Sequence, residues 1–125
     1  ELESYGIDVA LASDVGGGDS FSMFDVMSQA YKVCRLNGYN LDPVKAFYLT
    51  TLAAAKVLGV DDSIGNFESN KEADFIVLDL NASELIKQKI QTVTDISDLL
   101  FCLMMLGDDR LVGEVYILGQ CAYKK

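Results

Sequence analysis

Apolar and polar positions change period along this chain, and each change marks an element. Residues 7–12 (IDVALA) are a short, nearly continuous apolar run. Such a run predicts a strand buried on both faces, as in a parallel sheet. Glycines 16–18 end it. From Met23 onward, Met23, Val26, Met27, Ala30, Val33 and Cys34 fall at helical spacing. Ser22 is the expected N-cap, with Asp25 completing a capping box, and Asn37-Gly38 the expected stop. Asp42-Pro43 predicts a second helix start, an N-cap followed by proline at the first helical position. Val44, Phe47, Tyr48, Leu49, Leu52 and Ala55 give that helix a wide apolar face, and Gly59 should end it.

A polar loop follows over residues 59–72, then ADFIVLDL at 73–80 reads as a strand. Residues 81–83 predict a turn and 84–90 a short helix. Asp95 or Ser97 should open a further helix through DLLFCLMML at 98–106. That segment is apolar nearly all round, which places it in a core or at an interface. Gly107-Asp108-Asp109 breaks it, and residues 112–125 predict a closing hairpin with Gly119-Gln120 as its two-residue turn. The order is that of an α/β protein. Residues 1–60 carry the strand, the glycine loop and two helices; residues 61–125 form a β-rich unit with interspersed helices.

Composition narrows the function. Half of the 125 residues are hydrophobic, enough to build a core. The formal charge of −9, from 19 acids against 10 bases, argues against nucleic acid or an anionic membrane as partner. No apolar run approaches the roughly 18 residues that span a bilayer, and no signal peptide is visible. Cys34, Cys102 and Cys121 are odd in number, lack CxxC spacing and sit among apolar neighbours. They read as buried free thiols of a cytoplasmic protein. The absence of histidine removes the commonest general base and nitrogen ligand. The chain starts abruptly at Glu1, with no methionine before Met23, as a piece of a longer protein would.

The candidate chemistry lies in SDVGGGDSF, residues 13–21. A phosphate-binding loop needs GxxxxGK[ST], and no lysine follows here. A dinucleotide fingerprint needs a glycine where Phe21 stands, and Asp14 and Asp19 would repel phosphate. Asp14 instead occupies the end of an expected strand, where parallel α/β sheets and barrels bind ligands. A carboxylate there can hold a metal or take a proton, while the glycines let backbone approach a ligand. On spacing alone, Asp14 can equally open an Asx turn for which the glycines supply positive φ. Asp19 and Ser20 suit helix capping better than catalysis. Met23, Met27, Met104 and Met105 read as core, and Asp61-Asp62 and Asp108-Asp109 as solvated turn acids.

ALASDVGGGDSFSMFDVMSQAYKV (residues 10–33) resembles the last barrel strand and following loop of guanine deaminases, members of the metal-dependent amidohydrolase superfamily. TLAAAKVLGVDDSIGNFESNKEADFIVLDL (51–80) is similar to that superfamily's passage into its small β-domain. MMLGDDRLVGEVYILGQCAYKK (104–125) is similar to its closing hairpin. One departure is Asn70, where the family usually has glycine. The resemblance implies a C-terminal fragment of an amidohydrolase-type (β/α)8 barrel with part of a small β-sandwich. It also implies zinc-dependent hydrolysis of guanine to xanthine and ammonia in the full-length protein. Asp14 is then a metal ligand and the proton acceptor from the attacking water. The remaining ligands would lie upstream, so the chain alone would hold no zinc and be inactive. A homo-oligomer, such as a dimer, is expected. Two other readings stay open: a non-catalytic self-associating module, and another aminohydrolase specificity.

Overall fold

The computed structural model describes residues 3–14 and 16–125. Five α-helices and a three-stranded antiparallel sheet follow one another in the order α1 (Met23–Leu36), α2 (Pro43–Thr50), α3 (Leu52–Leu58), β1 (Phe75–Leu78), α4 (Glu84–Ile90), α5 (Ile96–Leu106), β2 (Val112–Ile117) and β3 (Gln120–Lys124). Helix α5 is the centre of the helical layer, packed against α1, α2 and α4. Its expected burial is met on one side: Cys102, Leu103 and Met104 are buried, whereas Ile96 remains exposed. The core joins Phe24, Met27, Leu41, Ala46, Leu49 and Ala53 to Ile86, Leu103, Met104 and Leu111, so residues on both sides of position 60 build it. Tyr31 and Phe101 lock α1 on α5 edge to face, with ring centroids 5.2 Å apart. Met27 and Met104 are core, as their spacing predicts.

Helix boundaries follow from local chemistry. Asp42 caps α2, its carboxylate accepting from the backbone N–H of Val44 (2.9 Å) and Lys45 (3.2 Å). The expected single helix from 43 to 58 is instead two. Thr50 and Thr51 both turn their hydroxyls back onto the Phe47 carbonyl, at 2.9 and 2.8 Å. Side-chain donors that compete with the helical ladder bend or break it, and Thr51 leaves helical geometry at φ −124°, ψ −97°. Gly59 ends α3 in the left-handed region at φ +68°, as expected. Asp95, not Ser97, caps α5, accepting from the N–H of Asp98 at 2.9 Å.

The sheet runs β1-β2-β3. Phe75 and Tyr116 face each other in register and stack with centroids 4.6 Å apart. The pairing shifts between Val77 and Leu78, where the partners step from Glu114 to Val112 and leave Gly113 as the extra residue of a bulge. The hairpin turn is Leu118-Gly119, not Gly119-Gln120: Gln120 pairs with Ile117, and the two turn residues sit at φ +52° and +74°. Two consecutive positive φ values match the twist of a two-residue hairpin. Cys121 corrects a second expectation. It lies on β3, exposed along its whole length, so this thiol is not buried; Cys102 is, and Cys34 is half-buried. Among the described residues no helix is long and apolar enough to cross a membrane.

The largest departure is at the start. Residues 7–14 form no helix and no strand. A strand needs neighbours for its backbone groups. Among the described residues, the backbone tie from this segment to another element is Leu11 N–H to the Leu49 carbonyl at 3.0 Å. Ile7 is accordingly half exposed.

Candidate functional site

Asp14 ends the segment that follows Gly6, and the chain reverses there. Its backbone is left-handed at φ +48°, a conformation that aspartate tolerates better than most side chains. Its carbonyl accepts from the N–H of Gly17 at 2.9 Å and of Gly18 at 2.6 Å. The glycines therefore close a tight loop whose first residue is the aspartate. Asp14 is exposed, and among the described residues no donor engages its carboxylate.

The far end of the loop is tied to α1. The Ser20 hydroxyl donates to Asp25 at 2.6 Å and accepts from the Ser22 N–H at 3.0 Å. Asp19 accepts from the Gln29 side-chain amide at 3.0 Å. The expected Ser22–Asp25 capping box does not form. Ser22 is the N-cap by backbone position, but its hydroxyl is buried without a hydrogen-bond partner among the described residues. Ser20 accepts from the N–H of Ser22 itself, because a serine two residues before an N–H can close a short side-chain turn; among the described residues no side chain caps the first turn of α1. The Ser20-x-Ser22 spacing was the available signal for this tether. Asp19 and Ser20 thus tie the loop to α1 through Gln29, Asp25 and Ser22, and neither caps the helix as expected.

The other acids stay apart from Asp14. Asp108 pairs with Arg110, the Nη2 to Oδ2 distance being 2.6 Å, and this hydrogen-bonded guanidinium lowers the Asp108 pKa. Among the described residues no three His, Cys, Asp or Glu side chains cluster closely enough to hold a metal ion. A cavity of about 160 Å³ lies elsewhere, along the early part of that segment, lined by Ile7, Asp8, Tyr48 and Lys56 among others. Asp14 does not line it. Its walls carry the Tyr48 ring with the Lys45 and Lys56 ammonium groups over it, at 4.8 and 5.9 Å from the centroid.

The donor chemistry at Asp14 suits one corner of a metal site. A hard, exposed carboxylate without a competing donor can ligate zinc, but a single oxygen ligand cannot complete the usual four-coordinate shell. Asn70 also finds its reason here: it sits at φ +72° in a turn, where glycine or asparagine is at ease.

Known proteins set this geometry in context. The chain is 42% identical to guanine deaminase of Escherichia coli (strain K12) over 119 residues, covering 95% of this chain and 27% of that protein. The solved structure of E. coli guanine deaminase superposes with a TM-score of 0.94 at 41% identity, covering 98% of this chain and 29% of that one. A guanine deaminase from C. acetobutylicum, solved with guanine bound in its active site, gives a TM-score of 0.73 at 27% identity over 97% of this chain and 28% of that chain. The chain thus spans a little over a quarter of the length of these relatives. Residues 1–117 match the amidohydrolase family as a whole, and the chain belongs to that family.

Proposed function

We propose that this chain is the C-terminal part of a zinc-dependent guanine deaminase, converting guanine and water to xanthine and ammonia. The observation that carries the reading is the agreement, in sequence and in backbone, with E. coli guanine deaminase along nearly the whole chain. The bound guanine in the C. acetobutylicum enzyme supports the choice of substrate. A zinc ion, when bound, would lower the pKa of a water and make it a nucleophile at neutral pH. Asp14 would be one ligand of that ion and would accept a proton at its carboxylate as the water attacks. Among the described residues no donor occupies the carboxylate, which leaves it available for both tasks. The other ligands and the guanine-binding groups would come from elsewhere in the protein, because the chain has no histidine.

The test uses two proteins. In the full-length enzyme, Asp14→Asn should abolish most guanine turnover and lower the zinc content. The purified 125-residue chain should bind no stoichiometric zinc and release no ammonia from guanine. Turnover by the chain alone would overturn its reading as a part, and an active Asp14→Asn enzyme would overturn the role of Asp14.

A second reading, self-association of the chain, rests on segment 7–14, which lies outside the sheet, and on exposed Phe21, Leu36 and Phe67. An open backbone edge and large apolar side chains in solvent favour a partner surface. A monomer by light scattering at all concentrations would count against it.

A further inference from the structure

We propose that Gly17 is a positioning residue for Asp14, its missing side chain being the space in which the Asp14 carboxylate lies. The inference rests on the reading of Asp14 as a metal ligand. The three loop glycines have three different reasons. Gly16 is left-handed at φ +104° and faces open space, so its role is backbone conformation alone. A Cβ at Gly18 would run into the Ser13 carbonyl, so the path of the chain itself forbids one. Gly17 is outside the left-handed region, and neither argument applies to it.

What a Cβ at Gly17 would meet is the Asp14 side chain: Oδ2 at 2.5 Å, Cγ at 3.2 Å and Oδ1 at 3.6 Å. Ordinary contact for such a carbon begins near 3.4 Å. The Asp14 backbone is already pinned by its own φ and by two N–H groups on its carbonyl. The remaining freedom of the carboxylate is rotation about its side-chain bonds, and Gly17 decides which orientations are open. The obstacle to a methyl group here is the end of a short side chain rather than backbone. Alanine at this position therefore displaces the charge and leaves the fold in place. Metal ligands held only slightly off their productive orientation lose much of their affinity.

The experiment is zinc titration of the metal-free full-length enzyme against a competing chelator, together with the melting temperature of each metal-free variant. Four proteins are compared: wild type, Gly17→Ala, Asp14→Asn and the double variant. Gly17→Ala should weaken zinc binding by about 10–100-fold with the metal-free melting temperature unchanged. The double variant should bind no more weakly than Asp14→Asn, because Gly17 acts only through that carboxylate. Wild-type affinity in Gly17→Ala, with Asp14→Asn weakened, would overturn the inference and leave the role of Asp14 intact. Wild-type affinity in Asp14→Asn would overturn the ligand reading itself. Additive losses in the double variant, or a lowered melting temperature in Gly17→Ala, would make Gly17 a structural residue and overturn the proposal.

Discussion

Gly65 is where the polar loop after α3 touches the helical layer, and it offers a measurable separation of two effects. At φ +102° its backbone is one that L side chains rarely adopt, and a Cβ would stand 2.8 Å from the Ala55 Cβ and 3.1 Å from the Leu52 Cα. Gly59 is the control: it too is left-handed, at φ +68°, but a Cβ there meets nothing within 4 Å. Gly59→Ala carries the conformational cost alone, about 1–2 kcal/mol. Gly65→Ala carries that cost plus the overpacking of a small-residue contact, about 1–3 kcal/mol more. The gap between the two variants is thus the steric part together with the extra backbone strain of φ +102° over φ +68°. Urea unfolding of both variants and wild type, followed by circular dichroism at one protein concentration, gives the two free energies. Equal losses in the two variants would refute the argument, because the contact with α3 would then carry no energy.

Two further outcomes follow from the sheet. Leu118 is exposed and sits at φ +52° in a two-residue turn that favours Asn-Gly; Leu118→Asn should stabilise the chain by about 1 kcal/mol, and an unchanged or lower urea midpoint would contradict the turn assignment. The Glu114 carboxylate accepts from the Lys124 ammonium (2.7 Å) and the Tyr116 hydroxyl (2.7 Å), and these bonds, Lys124 first, hold its pKa below 4.5. Its contribution is therefore fully present above the unfolded-state value and is lost as pH falls through the lower folded-state value. Between pH 6 and pH 3 the wild type should lose more stability than Glu114→Gln, and parallel acid profiles would remove the linkage.

The elements with their own local instructions were readable from the chain. Asp42-Pro43 supplies both an oxygen for free N–H groups and a pre-set φ, so α2 starts where expected. Gly59 is a stop because only a left-handed residue closes α3 there. The apolar spacing of α1 and the uniform apolarity of α5 marked the helical layer. Misread elements were those in which one local signal competed with another. Thr50 and Thr51 divided a helix that hydrophobic spacing drew as continuous. Ser20 took the Ser22 N–H that the expected capping box assigned to Asp25, and Asp25 bonded to the Ser20 hydroxyl instead. Leu118 entered the turn because strand register, not residue preference, placed it there.

Composition and motif by themselves determined the family resemblance, the aspartate at the mouth of the glycine loop and the lack of histidine, which removes the commonest nitrogen ligand. Tertiary structure decided the rest. The apolar segment 7–12 has the composition of a buried strand, but a strand exists only where neighbours meet its N–H and C=O groups. Here, among the described residues, the backbone tie from that segment to α2 is the bond to Leu49, and the segment does not pair into the β1-β2-β3 sheet. Cys121 has apolar neighbours in sequence, yet it is exposed because it lies on β3, an edge strand exposed along its whole length. The orientation of the Asp14 carboxylate is likewise a fact of three dimensions. It is set by a carbonyl held by two glycine N–H groups and by the space that Gly17 leaves open, distances that no spacing of letters contains.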